Sequence, residues 1–119
     1  MPLNVETSEN STKEFLKTHY YKCNYAKLKK AVFDVLDELG FDLTNEDDEY
    51  YEHLFQRHDV NLTLKFNEFN QRETCIDFFI DAYYFLFPKS KVEKLMTIIY
   101  AKVNKLVEFK GLGLHPEVK

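Results

Sequence analysis

The chain has 119 residues, of which 45% are hydrophobic and 30% charged, so it is long enough for one hydrophobic core and belongs to the soluble globular class. Its formal net charge of -4 argues against general affinity for phosphate backbones, because such affinity requires a basic protein surface. We therefore expect no nucleic-acid partner. The sequence has no signal-peptide pattern, no apolar run of transmembrane length and only two isolated cysteines, so we expect a cytoplasmic protein without membrane contact.

The polarity of the two ends predicts tails on either side of one domain. Residues 1–12 show neither a helical nor a strand period and are predicted to be a flexible tail, as are residues 112–119 with their glycine and proline. Residues 13–111 are predicted to form a single α+β domain. Within it, the start of Glu14–Lys22 fits a capping box at residues 11–14, which favours a helix, but its apolar residues alternate; we interpret it as a strand.

The next segment has the period of an amphipathic helix. Apolar residues recur at spacings of three and four, at Leu28, Val32, Val35, Leu36 and Leu39. Asn24 is suited to the N-cap, and Gly40 is suited to the position after the C-cap because glycine accepts a left-handed backbone conformation.

A polar run and two strands follow this helix. Residues 45–49 carry four acids, which predicts a loop or hairpin tip. Tyr50–Arg57 and Val60–Phe66 alternate as strands, and the short link between them predicts an antiparallel hairpin. If Arg57 lies opposite Val60, then His53 shares the inner face with Phe55 and the apolar residues of the second strand.

The stretch Thr74–Phe87 is the most apolar of the chain and is predicted to be one long strand ended by Pro88. Its even positions form an apolar row that predicts a core face: Ile76, Phe78, Ile80, Ala82, Tyr84 and Leu86. Its odd positions mix acids with aromatic residues: Cys75, Asp77, Phe79, Asp81, Tyr83, Phe85 and Phe87. This second face is suited neither to full burial nor to simple exposure.

A second amphipathic helix is predicted from a capping box at Ser90 to a stop at Gly111, with an outer row of lysines. The predicted order is strand, helix, three strands, helix. This order indicates a two-layer α+β sandwich, with an antiparallel sheet of about four strands and both helices on one face.

No catalytic or cofactor motif is present, so we expect no enzyme, no cofactor and no metal. The histidines are scattered and lack metal-ligand spacing; His58 beside Asp59 and the isolated Cys75 are the most reactive candidates. Asp77 and Asp81 lie four strand residues apart, roughly 13 Å, too far for a paired-carboxylate site.

The sequence favours an interaction module that contacts a protein partner through the mixed sheet face. The candidate contact residues are Phe79, Tyr83, Phe85, Asp77 and Asp81. A homodimer is the simplest partner, with the acids at the rim of the contact or paired with Lys65. The alternative is binding of a small apolar molecule in an aromatic-lined cavity between the helices and the sheet.

Overall fold

The computed structural model describes residues 3–114. It contains seven strands, two α-helices and a single 3-10 turn at Glu14–Leu16. The strands are β1 (Leu3–Glu6), β2 (His19–Tyr21), β3 (Asp42–Asp47), β4 (Glu52–Arg57), β5 (Val60–Asn70), β6 (Glu73–Ala82) and β7 (Phe109–Leu112). The helices are α1 (Tyr25–Glu38) and α2 (Pro88–Leu106).

The strands form one sheet in the order β3-β4-β5-β6-β2-β7, and all of their pairings are antiparallel. β1 also pairs with β6, beside its C-terminal half, while β2 pairs with its N-terminal half. The chain between β1 and β2 therefore leaves the edge of β6 and returns to it.

The core lies between the sheet and the two helices. The even-numbered row of β6 is buried, with Ile76, Phe78, Ile80 and Ala82 each 1% exposed. These residues share one hydrophobic cluster with the apolar stripes of α1 and α2. The sequence-based prediction of a small α+β domain with an antiparallel sheet and two helices is confirmed.

Local signals predicted α1 and the β4–β5 hairpin correctly. The Asn24 side chain caps α1 by accepting a hydrogen bond from the Lys27 amide, and Gly40 has a φ of 86° just after the helix. Arg57 lies opposite Val60, and His53 is fully buried on the inner face.

The predicted sheet of about four strands is wrong, and the order of the elements differs. The predicted loop or hairpin tip at residues 45–49 overlaps the second half of β3, an edge strand whose side chains are mostly exposed because pairing with β4 requires only its backbone. Two of the acids near this edge are paired with Lys29. The prediction failed because it assumed that charge repulsion between side chains prevents strand formation.

Parts of the two predicted tails are also strands. Leu3–Glu6, expected to be flexible, forms β1, and Thr7 beyond it is buried. Leu112 ends β7, and the predicted tail residues 1–2 and 115–119 lie outside the described residues. Both strands are only four residues long, too short to give a readable period.

Other element boundaries also differ from those predicted. Glu14–Lys22 contains both the 3-10 turn and β2 rather than one strand. α2 begins at Pro88 instead of at a Ser90 cap, because proline already has a helical φ and needs no amide partner at the first helical position. α2 ends at Leu106, before Gly111, which lies in β7.

We predict that Tyr100→Phe leaves the stability unchanged or raises it, by up to about 1 kcal/mol. Among the described residues, the Tyr100 hydroxyl is the buried side-chain polar atom without a hydrogen-bond partner, and removing it relieves its desolvation cost. The ring would keep its stacking on His19 and its edge contact with Phe78. Urea unfolding tests this, and a loss above about 1 kcal/mol would reveal a hydrogen bond at that hydroxyl.

Candidate functional site

The five candidate residues do not form one strand face, because β6 ends at Ala82. Phe79 and Asp81 lie on the face of the sheet opposite the core and are exposed. Tyr83 and Phe85 belong instead to the connection between β6 and α2. The long strand predicted to run to Phe87 is thus five residues too long, and the even row does not continue to Leu86, which is 55% exposed.

Asp77 is covered by the N-terminal segment rather than placed at a rim. Its Oδ1 accepts hydrogen bonds of 2.6 Å from the hydroxyls of both Thr7 and Thr18. Burial raises the pKa of its carboxyl, while these two hydrogen bonds partly oppose that effect. Lys65 lies opposite Asp77 in the sheet, but its ammonium donates to the Tyr50 carbonyl. Asp77 therefore anchors the β1–β2 connection.

The segment 83–87, which we call the apolar loop, presents four large apolar side chains to solvent. The exposed fraction is 53% for Tyr83, 94% for Phe85, 55% for Leu86 and 74% for Phe87. Single exposed apolar residues are common on monomeric proteins, but a contiguous group of this kind is typical of an interaction site.

Several contacts fix the backbone of the apolar loop. The Tyr83 amide donates to the Asp59 carbonyl at 2.8 Å, and the Phe87 carbonyl accepts from the Lys91 amide at 3.0 Å. Tyr84 is half-buried against the core, with the Lys91 ammonium 5.3 Å from its ring centroid. The loop is therefore held at both ends and at its second residue while its other side chains remain exposed.

A cleft of about 690 Å³ lies between α2 and the N-terminal segment. Its apolar lining comes from β1, the 3-10 turn and α2: Leu3, Val5, Phe15, Leu16, Val92 and Ile98. Three lysines, Lys13, Lys89 and Lys94, form what we call the lysine rim, together with Glu93. This cleft is not the aromatic-lined cavity expected between the helices and the sheet, because that space is filled by the core.

A buried histidine is linked to surface acids through a tyrosine. The His53 Nδ1 accepts from the Asp47 amide at 3.2 Å, so its Nε2 carries the proton and donates to the Tyr25 hydroxyl at 2.6 Å. Tyr25 in turn donates to Asp48, which also binds Lys29. Burial lowers the pKa of His53, which favours the neutral form of the ring. This network ties the β3 edge to α1.

The two most reactive candidates differ in their surroundings. His58 is exposed, and its neighbour Asp59 is engaged by the Arg57 guanidinium at 2.7 Å. Cys75 is free and buried, and burial raises the pKa of its thiol to about 12, so it is not a thiolate at neutral pH. The Cys75 thiol is therefore not an activated nucleophile.

Within residues 3–114, neither a metal-binding cluster nor a membrane-spanning helix is present. No group of three or more His, Cys, Asp or Glu side chains in this part of the chain is placed to hold a metal ion. None of its helices has the length and apolarity required to cross a membrane.

Comparison with protein-family models, curated proteins and solved structures gives no significant match to this chain. The functional arguments for the candidate sites therefore rest on the geometry of the sites themselves.

Sequence reasoning identified two members of the apolar loop, Tyr83 and Phe85, but assigned them to the wrong element. It missed the cleft, whose lining joins the N-terminal segment to α2, which is distant in sequence. It also missed the hydrogen bond between Tyr25 and His53. The local signal for this network was Lys29, which lies one helical turn after Tyr25 and pairs with an acid near β3.

Proposed function

We propose that this protein is a non-enzymatic interaction module that forms a homodimer through the apolar loop, with Phe79 at the edge of the contact. The observation that carries this proposal is the exposure of four apolar side chains on a backbone held in place. A preformed surface loses little conformational freedom on binding, and Phe and Tyr are both enriched in the cores of protein interfaces.

The charges beside the apolar loop support a contact between two copies. Asp81 precedes the loop, and Lys91 follows it, so its two ends carry opposite charge. In a twofold interface the same patch meets itself in reverse direction. Asp81 of one copy would then lie near Lys91 of the other, and the acid would remain at the rim of the contact.

We expect Phe85→Ser to weaken self-association by about 30-fold or more, because truncating a central aromatic anchor costs about 2 kcal/mol or more. Folding stability of the monomer should not change, since the side chain is 94% exposed. Sedimentation velocity over a concentration series gives the dissociation constant, and thermal unfolding of dilute protein gives the stability.

Leu106→Ser is the matched control, because Leu106 is 54% exposed on α2 but lies outside the apolar loop. It should leave the dimer intact. A monomer at high concentration for the unmodified chain would overturn the homodimer. Loss of stability without a change in mass for Phe85→Ser would show that the loop packs within its own chain.

The alternative, binding of a small apolar molecule, is supported by the cleft beside α2. Its volume of about 690 Å³ falls within the range of about 300 to 1,000 Å³ that is usual for ligand sites.

A further inference from the structure

The cleft joins an apolar floor to a positively charged rim. Leu3 and Val5 of β1 are half-buried and also pack against the core, so this part of the floor is an extension of the core and is held by the pairing of β1 with β6. The opposite wall is α2, whose Ile98 is 36% exposed. A molecule lying here would cover apolar surface that the fold leaves in contact with water.

The lysine rim carries more positive charge than its surroundings neutralise. Within residues 3–114, Lys13, Lys89 and Lys94 have no carboxylate partner, whereas Lys29, Lys102 and Lys110 are each paired with an acid. Glu93 offsets one of the three charges. The rim is thus basic in a chain whose formal net charge is -4.

The position of these lysines on α2 increases the local positive potential. Lys89 lies in the first turn of α2, which contains no acidic residue. The amino end of a helix carries a partial positive charge, so a lysine there costs local stability, and an anion placed nearby would be stabilised.

We propose that the cleft binds one single-chain anionic amphiphile, a long-chain carboxylate of the fatty-acid type. The alkyl chain lies on the apolar floor, and the carboxylate lies against the lysine rim. Lysine suits such a rim because its alkyl stem covers apolar surface while its ammonium stays in water. This proposal does not depend on dimerisation through the apolar loop.

Binding can be measured with a dansyl-labelled undecanoate, used below the concentration at which it forms micelles. The chain contains no tryptophan, so the shift and rise in emission report the probe alone. We expect saturation at one probe per chain. Dodecanoate should displace the probe at a concentration about tenfold lower than dodecanol does, which corresponds to about 1.4 kcal/mol for the charged head. Dodecyltrimethylammonium should compete no better than dodecanol.

Two variants test the contributions of the lysine rim and of the apolar lining to binding separately. Charge reversal by Lys89→Glu with Lys94→Glu should weaken dodecanoate binding by about tenfold or more and favour the cationic amphiphile instead. Ile98→Trp should fill the cleft and weaken all three amphiphiles without changing their order. The control is Lys27→Glu with Lys105→Glu, two exposed lysines outside the cleft, which should leave probe binding unchanged.

Several outcomes would overturn the proposal. The first is an absence of saturable probe binding to the folded chain, and the second is equal competition by dodecanoate and dodecanol. A third is loss of probe binding as the chain dimerises, which would mean that a second copy covers the cleft. Sedimentation with phosphatidylglycerol vesicles in the absence of dodecanoate binding would assign the lysines to a lipid surface instead.

Discussion

Phe78→Ala should destabilise the domain by about 3 to 5 kcal/mol, enough to leave a protein of this size partly or fully unfolded. Phe78 is 1% exposed and lies opposite Leu64 at the centre of the sheet. Its ring meets the Tyr100 ring edge-on, with the ring centroids 5.8 Å apart, so it joins the sheet to α2. Truncation removes this contact and leaves a cavity that rigid neighbours cannot close.

Phe79→Ala is the matched control, because it makes the same change at the next residue, on the opposite face of β6. Phe79 is 47% exposed, so its truncation should cost less than about 1 kcal/mol. Urea unfolding of both variants at the same low protein concentration gives the two free energies. Equal losses would mean that the two faces of β6 are not distinguished by burial.

The stability should fall as the pH decreases from about 6.5 to about 4, and His19 should account for about 3 kcal/mol of that fall. The His19 ring is buried and stacked on Tyr100, and its Nδ1 donates to the Lys17 carbonyl at 2.8 Å. Burial lowers the pKa of His19 from 6.5 to about 4, and the hydrogen bond to Lys17 only partly opposes this.

The direction of the pH effect follows from the lowered pKa. Above pH 6.5 the ring is neutral in both the folded and the unfolded chain. As the pH falls, the unfolded chain takes up the proton first, which favours unfolding until the pH reaches the folded pKa of about 4. His53, whose pKa is also lowered by burial, adds to the fall. Asp77 acts in the opposite direction, because its raised pKa favours the folded state at low pH.

His19→Gln tests this expectation, since glutamine keeps an amide donor but does not titrate. The variant should show a flatter dependence of the urea midpoint on pH between about 6.5 and 4, whatever its stability at neutral pH. His58→Gln, the same substitution at an exposed ring, is the matched control. An unchanged slope in His19→Gln would mean that other groups carry the pH dependence.

The sequence alone determined the elements whose side chains repeat with a clear period. The stripe from Leu28 to Leu36 defined α1, and alternation defined the core face of β6 and the inner face of the β4–β5 hairpin. These features could be predicted because the period records which side of each element is shielded from water. The same signal places Phe78 in the core and leaves Phe79 outside it.

Only the tertiary structure determined β1, β3 and β7, and the sites that depend on them. These strands are held by backbone pairing with β6, β4 and β2, respectively. Backbone pairing does not require a particular side-chain pattern, so a short or polar segment gives no sign in its sequence that it will pair with the edge of another strand. The return of the chain from β1 to β2 covers Asp77, and β1 forms part of the cleft floor beside α2. Residues far apart in sequence meet there because the sheet brings their backbones together.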